Sequence, residues 1–328
     1  MNNAFIGYFS SELELMLSEK RALGLKCHEL ERLMHVFDKL SQQFDCRNGL
    51  SKELVLTFVE KQPNWRRRTQ EGRIFVIRQI ACFLNVHGIS AYICDTGRIM
   101  KSYEHFTPYI FTHEEIQRVF KEIDSEKAVR SYDRNHIFYP VIIRILYGCG
   151  LRISEALSLK IKDVDLRNGL IYIKDSKNHK CRTLPVNDSL ISFCDNYLKQ
   201  IHPVYNDDDY FFESPSGGKY SKATVYHHFR KILFKCGMSH GGRKNRGPRL
   251  HDLRHTFCIH SLRQFLGNGV EYRAALPILS VYMGHSKLSS TGKYLRLTAE
   301  AYPEITQKLE NQYGNIIPEL EVFENEKK

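Results

Sequence analysis

The sequence predicts a mainly α protein with a small β-sheet, an α+β arrangement in two domains. Three observations carry this. Apolar residues recur at helical spacing along most of the chain, residues 170–186 alone show two β-rich runs about a polar loop, and residues 89–109 lack a sustained period. At 328 residues the chain has length for two ordinary domains, and 42% hydrophobic with 26% charged residues suits a soluble globular fold.

Residues 4 to 90 carry only helical signals: ELELMLSEKRAL, CHELERLMHVFDKL, SKELVLTFVEKQ, and RIFVIRQIACFLNVHG, which ends on the helix-stopping Gly88. Structure restarts at Phe111, where Thr112 and Glu115 form a capping box and Phe111 and Ile116 a hydrophobic staple. HIFYPVIIRILYGCG reads as a buried helix closed by Gly148 and Gly150. In RISEALSLKIKDVDL, Ser154 is expected to cap a short helix, with Glu155 suited to its positive end. LIYIKDSKNHKCRTLPV is the hairpin. Helices follow at SLISFCDNYLKQI, ATVYHHFRKILFKCG, LHDLRHTFCIHSLRQFLG, AALPILSVYMG and AEAYPEITQKLENQY. The expected boundaries are a helical domain at 1–95, a linker at 96–110, a second domain at 111–300 and a terminal segment at 301–328 that ends in a frayed tail.

No apolar run approaches the roughly 18 residues that span a bilayer, and no basic leader precedes the first apolar patch, so a cytoplasmic location and no membrane partner are expected. The nine cysteines include no CxxC pair, which argues against a disulfide framework and a zinc site. A net charge of +11 favours a polyanionic partner without choosing DNA over RNA or a lipid surface.

Within PRLHDLRHTF, Arg254 falls on the same helix face as Leu250, Leu253 and Phe257. A buried guanidinium needs a partner, which is a nearby carboxylate in the plainer reading or a phosphate if His251, one turn earlier, shares the ligand. Arg152 stands where a helix begins, an end whose dipole favours anions, so it gains nothing locally. Paired with Arg254 it makes a two-sided fork for a phosphodiester. In MGHSKLSSTGKYLRL a helix stops at Gly284, places His285 beyond it, and then presents Tyr294.

Taken together, YGCGLRISEA at 147–156, HDLRHTF at 251–257 and MGHS through TGKY at 283–294 resemble the tyrosine recombinases, the phage integrase family, over residues 109 to 300. The resemblance implies a helical N-terminal core-DNA-binding domain and a catalytic domain using Arg152, a hairpin lysine, His251, Arg254, His285 and Tyr294. Of the hairpin lysines, Lys177 matches the family's position ahead of the R-x-x-P strand. It further implies that Tyr294 attacks a phosphodiester to give a 3′-phosphotyrosine, and that four protomers exchange strands between two double-stranded sites through a Holliday junction. No cofactor or metal is needed. In this scheme the arginines neutralise the phosphorane, His251 is the base, Lys177 the acid, His285 a hydrogen-bond donor to phosphate, and Glu155 a support for an arginine.

His251 and His255 stand four apart as in metal-binding helices, but no glutamate follows His251 and Arg254 would repel a dication, so zinc is disfavoured. Expected DNA contacts are Arg66, Arg67, Arg68, Arg73 and Arg78 in the first domain, and Arg243, Lys244, Arg246 and Arg249 before the His251 helix. A mobile element is the expected source. The competing functions are type IB topoisomerase-like relaxation and a non-catalytic DNA-binding regulator.

Overall fold

The computed structural model describes residues 4–25, 27–65, 67–95, 107–128, 134–174, 181–238 and 247–284. Two compact units divide the chain, Met1–His105 and Phe106–Lys328.

The first unit contains helices α1 (Ser10–Ala22), α2 (His28–Ser41), α3 (Lys52–Val59) and α4 (Arg67–Val86). Their periodic faces bury Phe37, Phe58, Ile77 and Leu84 around Phe9, which precedes α1, with Phe37 edge-on to Phe58 at 5.6 Å between ring centroids. Ser51 caps α3 by accepting from the Leu54 N–H at 3.2 Å. The buried Asp38 carboxylate accepts from the Ile6 and Gly7 N–H groups at 2.9 and 2.8 Å, which ties the chain ahead of α1 to α2. Helix α4 starts six residues before the apolar run that announces it, so Arg67 and Arg68 are helical.

The second unit continues with α5 (His113–Asp124), α6 (Asn135–Gly148), α7 (Ile153–Ala156), β1 (Val164–Asp165), β2 (Leu170–Ile173), β3 (Arg182–Pro185), α8 (Asp188–Ile201), α9 (Lys222–Lys235), α10 (Asp252–Gly267) and α11 (Tyr272–Met283). The capping box of α5 forms as the sequence predicts: Thr112 Oγ1 accepts from Glu115 N–H at 3.2 Å and Glu115 Oε2 from Thr112 N–H at 2.9 Å. Helix α6 is buried on most sides, through Phe138, Ile142 and Ile145, and packs against α5, α8 and α10. A smaller core joins α10 to α11 through Cys258, Ile259 and Leu262 against Ala275, Leu279 and Met283.

Two details differ from the sequence reading. The expected hairpin gains a third strand: β1, β2 and β3 form an antiparallel sheet in that order, with Ile171 paired to both Val164 and Leu184. A two-residue strand is too short for period-2 alternation to reveal it. Ser154 is not the cap of α7; it lies inside the helix and Arg152 occupies the cap position, with the Glu155 carboxylate at N3 reaching back to accept from the Arg152 N–H.

Candidate active site

The site is built around one carboxylate. Glu155 sits in α7 with its side chain 5% exposed. Its Oε2 accepts from the Arg152 backbone N–H at 3.0 Å, and Oε1 accepts from Arg152 Nη1 at 2.6 Å. From β3, Arg182 makes a bidentate pair, Nη2 to Oε2 at 2.9 Å and Nη1 to Oε1 at 3.2 Å. Arg254, from the first turn of α10, brings Nη1 to 3.9 Å from Oε2.

Three guanidiniums against one carboxylate leave these four side chains with two positive charges in excess. Burial pushes the Glu155 carboxyl up, but the Arg182 hydrogen bond, the Arg152 N–H and both arginine charges outweigh it and hold the group at about 2. Glu155 is therefore an anion at any physiological pH. It orients cations and donates no proton.

The question raised by Arg254 has a specific answer. Its side chain is 2% exposed, and it donates from Nη1 to the Gly150 carbonyl at 2.6 Å and from Nη2 to the Met283 carbonyl at 2.5 Å. Two backbone carbonyls receive it, and the nearby carboxylate of the plainer reading is present as Glu155, 3.9 Å from Nη1. The carbonyls satisfy hydrogen bonds and fix the guanidinium plane, yet they carry no net charge to cancel its own. Of the four groups, Arg152 is the most exposed, at 24%.

Two glycines let the backbone come this close. Gly150 has φ +58°, and a Cβ there would sit 2.4 Å from Phe257 Cδ1. Gly284 closes α11 in the left-handed conformation at φ +65°, where a Cβ would meet Arg182 Nη1 at 2.9 Å. Gly150→Ala is expected to cost about 2–4 kcal/mol, from the left-handed penalty together with overpacking against Phe257. Thermal melting measures it; an unchanged midpoint would show that the turn relaxes freely.

His251 occupies the N-cap of α10, one residue outside the helix, and its ring meets His255 edge-on at 4.9 Å. The residue keeps exposed surface, yet enough protein crowds it that desolvation lowers its pKa to about 4, helped by His255 and Arg254 against the opposing Asp252. Its neutral form therefore prevails near pH 7. The helix start is held by Asp252, which is buried, accepts from the Arg249 N–H at 2.9 Å and pairs with Arg249 Nη2 at 3.0 Å. Arg249 is thus committed to the frame of this turn.

Lys177, His285 and Tyr294 lie outside the described residues, as do Arg66, Arg243, Lys244 and Arg246. His285 directly follows Gly284, whose turn abuts Arg182. Among the other expected DNA contacts, Arg68 is exposed on α4 and Arg67 Nε lies 3.4 Å from Glu71. Arg73 turns inward instead: its guanidinium stacks over Trp65 at 4.0 Å and Phe58 at 4.9 Å, and Nη1 donates to the Phe58 carbonyl at 3.0 Å. Arg78 donates to the Cys94 carbonyl. Sequence reasoning used Arg182 only to mark the R-x-x-P strand and gave it no role, although it opens a strand whose alternate position, Leu184, is buried.

Among the described residues, no helix is long and apolar enough to cross a membrane, and no group of three or more His, Cys, Asp or Glu side chains is placed to hold a metal.

Residues 110–301 match the model of the phage integrase family. A Sinorhizobium fredii protein described as an integrase/recombinase, y4rB, is 26% identical over 311 residues, 93% of this chain and 98% of that protein. Tyrosine recombinase XerA of Pyrococcus furiosus is 32% identical over 213 residues, 63% of this chain and 65% of its own. Among solved structures, XerH bound to palindromic difH substrate in a post-cleavage complex aligns with a TM-score of 0.62 at 20% identity, covering 86% of this chain and 78% of that one. The Tn1549 transposon integrase with transposon right end DNA aligns with a TM-score of 0.61 at 18% identity over 89% and 98%. At such identities the structural likeness speaks for the fold.

Proposed function

Because the chain belongs to the phage integrase family and so is a tyrosine-type site-specific recombinase, we propose that it cleaves and rejoins double-stranded DNA through a 3′-phosphotyrosine at Tyr294. The observation that supports this best is the cluster of Arg152, Arg182 and Arg254 about Glu155, whose surplus charge suits a phosphodiester. In the reaction, the Tyr294 oxygen bonds to phosphorus while the bond from phosphorus to the 5′ oxygen breaks. His251 takes the phenolic proton and Lys177 supplies one to the departing 5′ oxygen. Arg152 and Arg254 neutralise the non-bridging oxygens, and His285 donates a hydrogen bond to them. Attack by the 5′ hydroxyl of the partner strand reverses these transfers, so bond energy is conserved and no nucleotide cofactor is consumed.

Residues 1–95 serve as a core-DNA-binding domain, 96–110 as the linker, 111–300 as the catalytic domain, and 301–328 as the contact to a neighbouring protomer. Arg67 and Arg68, with Arg66, meet DNA phosphates from the first domain; Arg243, Lys244 and Arg246 do so from the second. Four copies join two sites through a Holliday junction, in the cytoplasm, on behalf of a mobile element. Names of the relatives support the last point, among them an integrase of a transposon.

The test is capture on a nicked suicide DNA, followed by mapping of the linked residue. A peptide carrying DNA at Tyr294 is expected. A link elsewhere, or none in the presence of a bound cognate site, would remove the reading.

The lowered pKa of His251 gives a second expected result. A base held at about 4 instead of the ordinary 6.5 is already neutral across mild acid, so the single-turnover cleavage rate should show no inflection between about pH 5.5 and about pH 7.5. The sign for stability runs the other way: below pH 6.5 the unfolded chain binds a proton at this histidine that the folded chain refuses, so acidification weakens the fold. An inflection near 6.5 that vanishes in His251→Gln would place the base in an ordinary histidine environment and refute the geometry.

A further inference from the structure

We propose that Arg182 is a positioning residue for the cleavage step, the tie that sets Arg152 and the end of α11 against each other without touching DNA. The inference rests on the recombinase reading and adds to it a role for Arg182, the arginine that opens the R-x-x-P strand.

Arg182 is 8% exposed and uses its guanidinium in three directions. Two bonds, at 2.9 and 3.2 Å, fix both oxygens of Glu155, the carboxylate that holds the backbone and side chain of Arg152. A third, from Nε to the Tyr282 carbonyl at 2.9 Å, fixes the last turn of α11, two residues before Gly284 and three before His285. The absence of a Cβ at Gly284 makes room for the same guanidinium. Arg182 also begins β3, five residues after Lys177 in the chain.

One buried side chain thus joins three segments that deliver proposed catalytic groups. Separations of 27 residues to Glu155 and 100 to Tyr282 mean that no local element could set these distances. The planar fork is essential, since a lysine has the charge but cannot bond both carboxylate oxygens and the carbonyl together. Displacement of Arg152 by even about 1 Å from a phosphate costs on the order of a hundredfold in rate.

The experiment compares the full chain with Arg182→Gln and Arg182→Lys by single-turnover cleavage of a nicked suicide site, DNA affinity across a salt series, and thermal melting. Cleavage is expected to fall about 10- to 100-fold in Arg182→Gln, and less in Arg182→Lys, while DNA affinity stays within about threefold. The slope of log affinity against log salt should stay at the parent value. Combined with Glu155→Gln, Arg182→Gln should slow cleavage no further than the worse single change, because both act through one contact.

If Arg182→Gln does not fold, Arg182→Lys carries the test, and slower cleavage at parental affinity supports the tie. Cleavage at the parental rate in a folded variant overturns the proposal, as does full additivity with Glu155→Gln. A salt slope reduced by about one phosphate contact also overturns it, since Arg182 would then bind DNA directly. Failure of the parent itself to form a covalent complex would instead count against the recombinase reading, which keeps the two failures separate.

Discussion

Replacing Tyr294 with phenylalanine is expected to leave DNA binding unchanged and to abolish covalent capture, with cleavage reduced by at least about 10⁴-fold, the scale seen when an enzyme loses its nucleophile. The substitution removes one oxygen and keeps the ring. A rescue by another tyrosine would need a hydroxyl at the arginine cluster, and Tyr282, whose carbonyl receives Arg182, is the one to consider among the described residues. Burial pushes its pKa upward, and its hydroxyl lies 3.4 Å from the Pro185 carbonyl, so it remains a protonated donor. Tyr282→Phe should therefore still be captured on suicide DNA. Plasmid relaxation run beside a two-site recombination assay adds a second decision: relaxation by the parent without recombination would favour topoisomerase-like chemistry. Recombination by Tyr294→Phe at the parental rate would mean that the nucleophile lies elsewhere.

Much of this site was legible because its residues violate local rules. Arg254 stands in an apolar stripe and Arg152 at the wrong end of a helix dipole, and the structure brings both to Glu155. Local chemistry was equally readable where partners are three residues apart, as in the Thr112–Glu115 box. What escaped depends on distant partners. Arg182 looks like any strand-edge arginine until Glu155 and the Tyr282 carbonyl are placed beside it. Arg73 also packs over Trp65 and Phe58, an arrangement that no helical period announces. The cap of α7 was misread for a related reason: Glu155 is committed to Arg152 rather than to the dipole alone. Lys177, His285 and Tyr294 rest on motif spacing, outside the described residues.

Arg254→Lys is expected to lower cleavage by about 10²–10³-fold while changing DNA affinity little, because it keeps the charge and destroys the geometry. The guanidinium spans two fixed acceptors, Gly150 and Met283, from two different nitrogens. A single ammonium reaches at most one, leaving a buried carbonyl unsatisfied at about 1–3 kcal/mol. It would also settle toward Glu155, 3.9 Å away in the parent, and draw positive charge from where a phosphorane would form. Loss of one aligned donor to a developing oxyanion carries the rate penalty just given, whereas ground-state affinity is spread over many phosphate contacts and barely registers one of them. Cleavage rates and binding isotherms on the same site separate the two. Should Arg254→Lys cleave at the parental rate with its melting midpoint lowered, Arg254 would be a structural strut between the α6 turn and the end of α11. The buried charge in that apolar stripe would then have no phosphate to meet.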